Sequence, residues 1–148
     1  MSRATASHFQ RGFTLIEIVV VVVIIGLLAA MVAPKVMQRT DDAKLVRVAN
    51  DIRATEASLN LYKLDNFNYP TTEQGLQALV TKPSGSPEAK NWKQGGYLRN
   101  VPKDPWGNEY KYAYPGSSGG SFDLYSFGAD GKSGGEDMSK DLSIADLN

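Results

Sequence analysis

The amino-acid sequence predicts an α+β protein in which one long N-terminal helix packs on a small antiparallel sheet. Residues 13–33 are almost uniformly apolar, and residues 45–62 repeat apolar side chains at the spacing of one helix face. Residues 109–114 and 122–127 have the composition of two short strands, and the Gly, Ser and Pro residues between them favour a hairpin. We therefore expect a helix with an apolar first half and an amphipathic second half that covers the sheet.

The apolar segment is long enough to cross a membrane. From Phe13 to Ala33 the only charged residue is Glu17, and a helix of this length spans roughly 30 Å, the thickness of a bilayer's hydrocarbon core. Arg3 and Arg11 precede the segment and no acid does, which predicts a cytoplasmic N-terminus and an exported C-terminal part. A cleaved secretory signal and a plain signal anchor are the alternatives that composition leaves open.

The helical pattern continues beyond the apolar segment as a mostly apolar stripe with steps of three and four residues. Its members are Leu45, Val48, Ile52, Thr55, Leu59 and Tyr62. The charged residues between them, Asp51 and Glu56 included, predict a solvated opposite face, and the whole pattern predicts one helix over about residues 13–64. Pro34 removes one helical hydrogen bond and Gly26 weakens the turns before it, so we expect a kink or local unwinding between them.

The rest of the chain is predicted to form a short helix and then a hairpin. The helix is expected over about residues 71–80, where a Thr can cap an apolar face. Residues 104–108, Asp-Pro-Trp-Gly-Asn, predict a tight turn, and residues 109–114 form a strand with three tyrosines on one face. Residues 122–127 form its partner strand. From Gly128 onward the chain is rich in Gly and Asp, which predicts a loop.

Composition excludes several functions. The net charge is zero without a basic cluster, and the chain has no Cys, so neither nucleic-acid binding nor disulfide chemistry is predicted. The glycine pairs at 119–120 and 134–135 lack the Lys and Ser or Thr of a phosphate-binding loop. His8 is the only His, and no apolar cleft is indicated that would shift the pKa of Asp130 or Asp137 for acid–base catalysis. We expect no catalytic residue and no enzyme.

The segment 12–17, Gly-Phe-Thr-Leu-Ile-Glu, resembles the class III signal of type IV pilins and pseudopilins. The likeness includes the apolar span, the acid at the fifth position after the glycine and Pro34 at the twenty-second. It implies that a prepilin peptidase cuts between Gly12 and Phe13 and that the new amine of Phe13 is methylated. Glu17 would then neutralise this amine, its own or a neighbour's, inside a stack of helices. The alternative is a Glu that reaches the lipid headgroups.

Four later segments resemble the major pseudopilins of the type II secretion system. They are residues 62–66, 69–79, 104–108 and 127–131. Together with the N-terminal signal, the resemblance covers nearly the whole chain, and the lack of Cys differs from type IV pilins proper, which usually carry a C-terminal disulfide loop. Residues 141–145, Asp-Leu-Ser-Ile-Ala, stand where the family often has Asp-Ile-Gly-Asn-Trp.

The resemblance implies a structural subunit with three parts: a leader over residues 1–12, a transmembrane and filament-core helix over 13–34, and a periplasmic globular domain over 35–148. Subunits would wait in the inner membrane and then stack into a helical homo-oligomer, a periplasmic pseudopilus that helps to export folded proteins across the outer membrane. The implied partners are the prepilin peptidase, minor pseudopilins and the inner-membrane secretion platform, with energy from a cytoplasmic ATPase. The alternative is a type IV pilin of an adhesive, motility or DNA-uptake filament.

One further contact is predicted between neighbouring subunits. Glu56 lies off the apolar stripe and Arg99 follows Tyr97-Leu98 in a polar loop, so the two could pair across the outer faces of a helical stack. An exposed ion pair contributes only about 0–1 kcal/mol, but it would repeat along the filament.

A calcium site is predicted in the C-terminal loop. The family resemblance implies calcium there, held by Asp130, Asp137, Asp141 and the backbone carbonyl of Phe127. Carboxylates and carbonyls of a Gly-rich loop can supply the roughly six to eight oxygens that calcium requires. The alternative is a solvated acidic segment.

Overall fold

One long helix, α1, leads the chain in the computed structural model, which describes residues 12–117 and 119–147. It runs over Leu15–Asn66. The later elements are, in order, a 3₁₀ helix Leu76–Leu79, strand β1 Lys111–Ala113, strand β2 Asp123–Ser126, a 3₁₀ helix Asp137–Ser139, strand β3 Leu142–Ser143 and a 3₁₀ helix Ile144–Leu147. The α+β class is confirmed. Contacts divide the chain into two compact parts, Met1–Thr40 and Asp41–Asn148.

In the first part, α1 carries a window long and apolar enough to cross a membrane. The window is Leu15–Val32, with a mean hydropathy of 3.1 and no buried residue. The large apolar side chains along it, such as Leu15 and Met31, are exposed. The leader over residues 1–12 lies outside the described residues except for Gly12.

The local unwinding predicted between Gly26 and Pro34 is wrong, because the backbone is helical across both residues. A single Gly costs only about 1 kcal/mol relative to Ala in a helix. The hydrogen bond lost at Pro34 is one among many in a helix whose propagation is cooperative. A bend at this point remains a prediction.

In the second part, the core packs on the amphipathic half of α1. The predicted stripe is confirmed, since Val48, Ile52 and Leu59 are fully buried, with Thr55 and Tyr62 almost so. The other buried apolar side chains come from beyond the helix and include Leu76, Leu79, Tyr110, Phe122 and Leu124. Burial of one helix face is therefore what joins α1 to the rest of this part.

The sheet has three antiparallel strands in the order β1-β2-β3. Tyr112 lies opposite Leu124, and Ser126 lies opposite Leu142. Strands β1 and β2 fall within the two predicted strand segments but are shorter. The predicted loop after Gly128 contains an additional strand, β3, which is only two residues long and therefore has no recognisable alternation of its own.

The helix predicted over residues 71–80 is only partly present. The Thr cap predicted for it is wrong, because the N-cap of the helix that forms is Gly75, without a side-chain hydrogen bond. Thr71 instead closes the preceding turn, where its Oγ1 accepts the Gln74 N–H at 3.1 Å and Gln74 Oε1 accepts the Thr71 N–H at 3.0 Å. Only Leu76–Leu79 is helical, as a single 3₁₀ turn. Gly75 has φ of +59°, which directs the chain out of a regular α-helix.

The buried and exposed valines of α1 provide a matched test of this packing. Val48→Ala should lower the free energy of unfolding by about 2 kcal/mol, because it removes buried methyl groups and leaves a cavity. Val46, which is 60% exposed on the same helix, is the control, since Val46→Ala changes helix propensity equally. Denaturant unfolding of the full chain in detergent micelles measures both. Equal effects of the two substitutions would contradict the assigned core.

Candidate functional site

The predicted processing site lies immediately before α1, in a segment without regular secondary structure. Gly12 and Phe13 are both exposed, and Phe13 is 78% exposed. A Cβ built on Gly12 meets no atom within 4 Å, so packing within the described chain does not require glycine at this position. Nothing in the described fold therefore explains these two residues, and cleavage between them stays a prediction.

Glu17 lies in the first turn of α1, where the hydrogen bonds and the sequence pattern indicate a second role in capping the helix. Thr14 Oγ1 accepts the Glu17 N–H at 3.3 Å, and the Thr14 carbonyl accepts the N–H groups of Glu17 and Ile18. Thr14-x-x-Glu17 is the sequence pattern of a capping box, a signal that our sequence analysis missed. A carboxylate in this turn also interacts favourably with the positive end of the helix dipole. Its pairing with the amine of Phe13 stays a prediction.

The other predicted assembly residues lie in different settings. Pro34 is within the helical backbone of α1, and its side chain lies outside the described residues. Glu56 is half-buried and Arg99 is exposed. Glu56 also lines a groove of about 570 Å³ together with Asn60, Tyr69 and residues of β2 and the C-terminal segment. Their pairing between subunits stays a prediction.

The solvated face predicted for α1 needs correction at Glu56, which is half-buried, and at Asp51. This carboxylate is half-buried, and its Oδ2 accepts a hydrogen bond from the Tyr110 hydroxyl at 3.1 Å and lies 3.7 Å from Nε of Arg47. Burial of Tyr110, followed by the nearby charge of Asp51, raises the pKa of the tyrosine above its ordinary value. The Tyr110 hydroxyl therefore stays protonated and links the residue before β1 to α1.

The turn over residues 104–108 is confirmed and is built around the carboxylate of Asp104, which is 3% exposed. Its Oδ1 accepts the N–H groups of Trp106 at 3.1 Å and Asn108 at 2.8 Å. The Asp104 N–H in turn donates to the Asn108 carbonyl at 2.9 Å, and Gly107 has φ of +93°. Trp106 and Asn108 are thus oriented by a buried acid.

The C-terminal loop begins at Gly128, which lies at a crowded point. Its φ is +67°, and a Cβ there would lie 2.7 Å from the Met138 carbonyl oxygen and 2.9 Å from that of Lys140. The Ala129 N–H also donates to the Met138 carbonyl at 2.8 Å. Gly128 is therefore where the start of the loop touches its end.

The predicted calcium ligands lie on both sides of this contact. Phe127 precedes Gly128, and its ring packs edge-to-face on Tyr125 with centroids 5.2 Å apart. Asp130 is exposed, with Oδ1 accepting the Lys132 N–H at 3.1 Å. Asp137 is exposed and has φ of +51° at the start of a 3₁₀ helix. The contact at Gly128 thus joins the chain segments of the predicted ligands, but not their carboxylates.

Asp141 is the predicted ligand with an unmet hydrogen-bonding capacity. Its Oδ2 accepts the Gly134 N–H at 2.9 Å, while its Oδ1 is buried without a hydrogen-bond partner. Among residues 12–117 and 119–147, no three Asp, Glu or His side chains lie close enough together to hold a metal ion. The orphaned Oδ1 is an oxygen of the kind that binds a cation, but the predicted carboxylates are not gathered around one point, and the calcium site stays a prediction.

Two protein-family models match this chain, one over its N-terminal segment and one over most of the remainder. Residues 35–145 match the family model described as type II secretion system (T2SS), protein G. The chain belongs to this family. Residues 7–33 match the model of the prokaryotic N-terminal methylation motif, which coincides with the segment resembling a class III signal. The resemblance to major pseudopilins of the type II secretion system is confirmed.

Relatives of the protein G family resemble this chain over most of its length. A type II secretion system core protein G from Pseudomonas aeruginosa is 60% identical over 133 residues, which cover 90% of this chain and 93% of the relative. Its counterpart from Vibrio cholerae is 50% identical, with 90% of each chain covered. These relatives are described as components of a secretion system and not as enzymes.

A solved structure of the same family confirms the architecture. The crystal structure of the major pseudopilin from the type 2 secretion system of enterohaemorrhagic Escherichia coli matches with a TM-score of 0.66 and 44% identity. The match covers 75% of this chain and 94% of that one. The long helix and small antiparallel sheet are thus those of a major pseudopilin.

Proposed function

We propose that this chain is the polymerising subunit of a type II secretion pseudopilus that helps to export folded proteins across the outer membrane. The observation that carries the proposal is the window Leu15–Val32, which is strongly apolar and has no buried residue. Apolar surface of this extent requires lipid or other apolar segments around it. Lipid meets this need before assembly, and the same segment of neighbouring subunits meets it in the filament.

Membrane position and processing follow from the same segment. The chain is anchored in the inner membrane, with residues 1–12 in the cytoplasm and the globular domain in the periplasm, as the basic residues before the window favour. The match to the methylation motif supports cleavage by a prepilin peptidase after Gly12 and methylation of Phe13. The exposure of both residues ahead of α1 supports access by the peptidase.

Glu17 gives the assembled helices a charge partner for the new amine. An unpaired charge in hydrocarbon is costly, and an amine beside a carboxylate offsets part of that cost for both groups. The minor pseudopilins and the inner-membrane platform are the further partners in this proposal. The protein G match favours secretion over an adhesive, motility or DNA-uptake filament.

We also propose that the C-terminal loop binds calcium through Asp130, Asp137, Asp141 and the Phe127 carbonyl. These are oxygen donors of the kind that calcium takes. The buried, unpartnered Oδ1 of Asp141 supports the proposal, because a cation would supply the interaction that this atom lacks. Calcium would contribute positive charge to a loop in which Met138 is the only large apolar side chain between Gly128 and Lys140.

The processing step predicts a defined mature protein. The intact mass of protein extracted from membranes should begin at Phe13 and include one added methyl group. Gly12→Val should block cleavage, because a branched side chain would not fit the narrow protease site that the proposal assigns to Gly12. Gly26→Val is the matched control, since a Cβ at Gly26 likewise meets nothing within 4 Å. A mature species that retains residues 1–12 would contradict the proposal.

Loss of the acid should prevent assembly while leaving insertion intact. Glu17→Ala makes the apolar segment more apolar, so membrane insertion is kept. Leaving one partner of a buried ion pair unpaired costs about 3–5 kcal/mol, so the yield of sheared pseudopili and of secreted protein should fall by at least about tenfold. Glu88→Ala, at an exposed Glu of the globular domain, is the control. Wild-type filament yield from Glu17→Ala would rule out the pairing role.

Calcium should raise the melting temperature of the full chain in detergent micelles, and a chelator should lower it. At a free concentration about 1,000 times the dissociation constant, binding adds roughly 4 kcal/mol to the stability. Asp141→Asn and Asp130→Ala should remove the response. Asp146→Asn should keep it, because Asp146 accepts its hydrogen bonds from Ser143 and is not an assigned ligand. A wild-type melting curve that calcium and chelator leave unchanged would refute the site.

A further inference from the structure

We propose that Asp104, Asn108 and Ser126 are positioning residues for the C-terminal loop, which they hold in its folded course before any ion binds. None of the three belongs to the loop or to the assigned ligands. The effect that we expect these residues to have on calcium affinity rests on the calcium site proposed above, whereas their effect on the order of the loop does not.

The three residues and Gly128 form a closed ring of hydrogen bonds. Ser126 Oγ donates to Asp104 Oδ2 at 2.7 Å and accepts the Gly128 N–H at 3.1 Å. Asn108 Nδ2 donates to the Gly128 carbonyl at 3.1 Å, and the Asn108 N–H donates to Asp104 Oδ1 at 2.8 Å. Both polar groups of the Gly128 backbone are therefore fixed by side chains outside the loop.

Burial makes this ring strong and specific. Asp104 is 3% exposed and Ser126 is fully buried, so water does not compete for the bond between them, whereas Asn108 is half-buried. The Asp104 carboxylate also accepts the Trp106 N–H, which gives it three donors in all. Hydrogen bonds to a charged acceptor are stronger than neutral ones, and a buried donor left without its acceptor is costly.

Because the ring holds Gly128, the neighbours of Gly128 in the loop are also held in place. The Phe127 carbonyl lies between Ser126 and Gly128, which are both held by the ring. Two residues after Gly128 comes Asp130, and the Gly131 N–H donates back to the Gly128 carbonyl at 3.4 Å. On its other side Gly128 touches the backbone of residues 138–140, which lie between Asp137 and Asp141.

The ring therefore fixes Gly128, next to the Phe127 carbonyl and two residues before Asp130, at the point where the backbone of residues 138–140 comes close. The loop has little apolar surface to bury, so the polar ring does the ordering that a hydrophobic core does elsewhere. Because outer-shell partners of metal ligands typically change metal affinity by about 10–100-fold, ordering of this kind should be visible in calcium binding.

The test compares Ser126→Ala and Asn108→Ala with Ser117→Ala, in the full chain in detergent micelles. Ser117 is the matched control, because its Oγ donates to another buried acid, Asp123, at 2.6 Å in the connection between β1 and β2. Amide hydrogen exchange is measured in the presence of chelator, and calcium dissociation constants are measured by titration calorimetry.

In chelator, the amides of residues 129–132 should exchange about tenfold faster in Ser126→Ala and Asn108→Ala, as expected for the loss of one buried hydrogen bond. The amides of β2 should keep their protection, and Ser117→Ala should leave residues 129–132 unchanged. The calcium dissociation constant should rise by about tenfold or more in the two ring variants only.

The possible results separate the two proposals. Unchanged exchange of residues 129–132 in both ring variants, or an equal increase across β2, would overturn the positioning role. If wild-type protein binds calcium and both ring variants bind it equally well, the role in affinity is wrong. If the wild-type protein binds no calcium, but residues 129–132 exchange faster in the two ring variants than in the wild type, the ring's control of the loop is upheld. That result refutes the calcium site alone.

Discussion

The constraint on which the rest of the molecule depends is an apolar surface that the chain leaves uncovered. The window Leu15–Val32 has no buried residue, and apolar surface in water costs roughly 25 cal/mol per Å². Asp41–Asn148, by contrast, buries its own apolar side chains, with Val48, Ile52 and Leu59 at the centre. One helix thus carries a stretch that needs an external apolar environment and a stretch that builds an internal one. This arrangement is expected of a subunit that resides in the membrane before assembly and packs against its neighbours in a filament afterwards.

The elements predicted from sequence were those whose signal is local. The stripe along α1 repeats at a spacing that only a helix satisfies, and the turn around Asp104 is dictated by its own five residues. The elements that were missed depend on distant contacts. Strand β3 is two residues long and exists because β2 lies beside it, and Asp51 was assigned to solvent because its partner, Tyr110, is 59 residues away. Contacts that depend on another part of the chain leave no periodic pattern in the sequence.

The residues of the candidate site likewise divide into those that a local motif predicted and those that it did not. The segment from Gly12 to Glu17 was recognised as a motif, and the family match supports its reading. The capping role of Thr14 was missed although its pattern was visible, because the acid had already been given another role. The calcium ligands were inferred by resemblance, and the structure joins their segments at Gly128 without gathering their carboxylates. Backbone course is set by hydrogen bonds within the fold, whereas convergence of like charges depends on a cation between them.

Gly128 has a consequence for how this protein can vary. An L-amino acid there would need an unfavourable backbone conformation, and its β-carbon would collide with two carbonyl oxygens at the far end of the loop. No rotation of a side chain relieves such a collision, because the obstructing atoms belong to the main chain. Gly135 is restricted in the same way, because its φ is +99° and a β-carbon there would collide with the Ser139 carbonyl, whereas Lys132, Ser133 and Glu136 are exposed and already carry side chains. Side-chain changes compatible with closure of the loop are therefore expected at Lys132, Ser133 and Glu136, whereas the backbone requires glycine at Gly128 and Gly135.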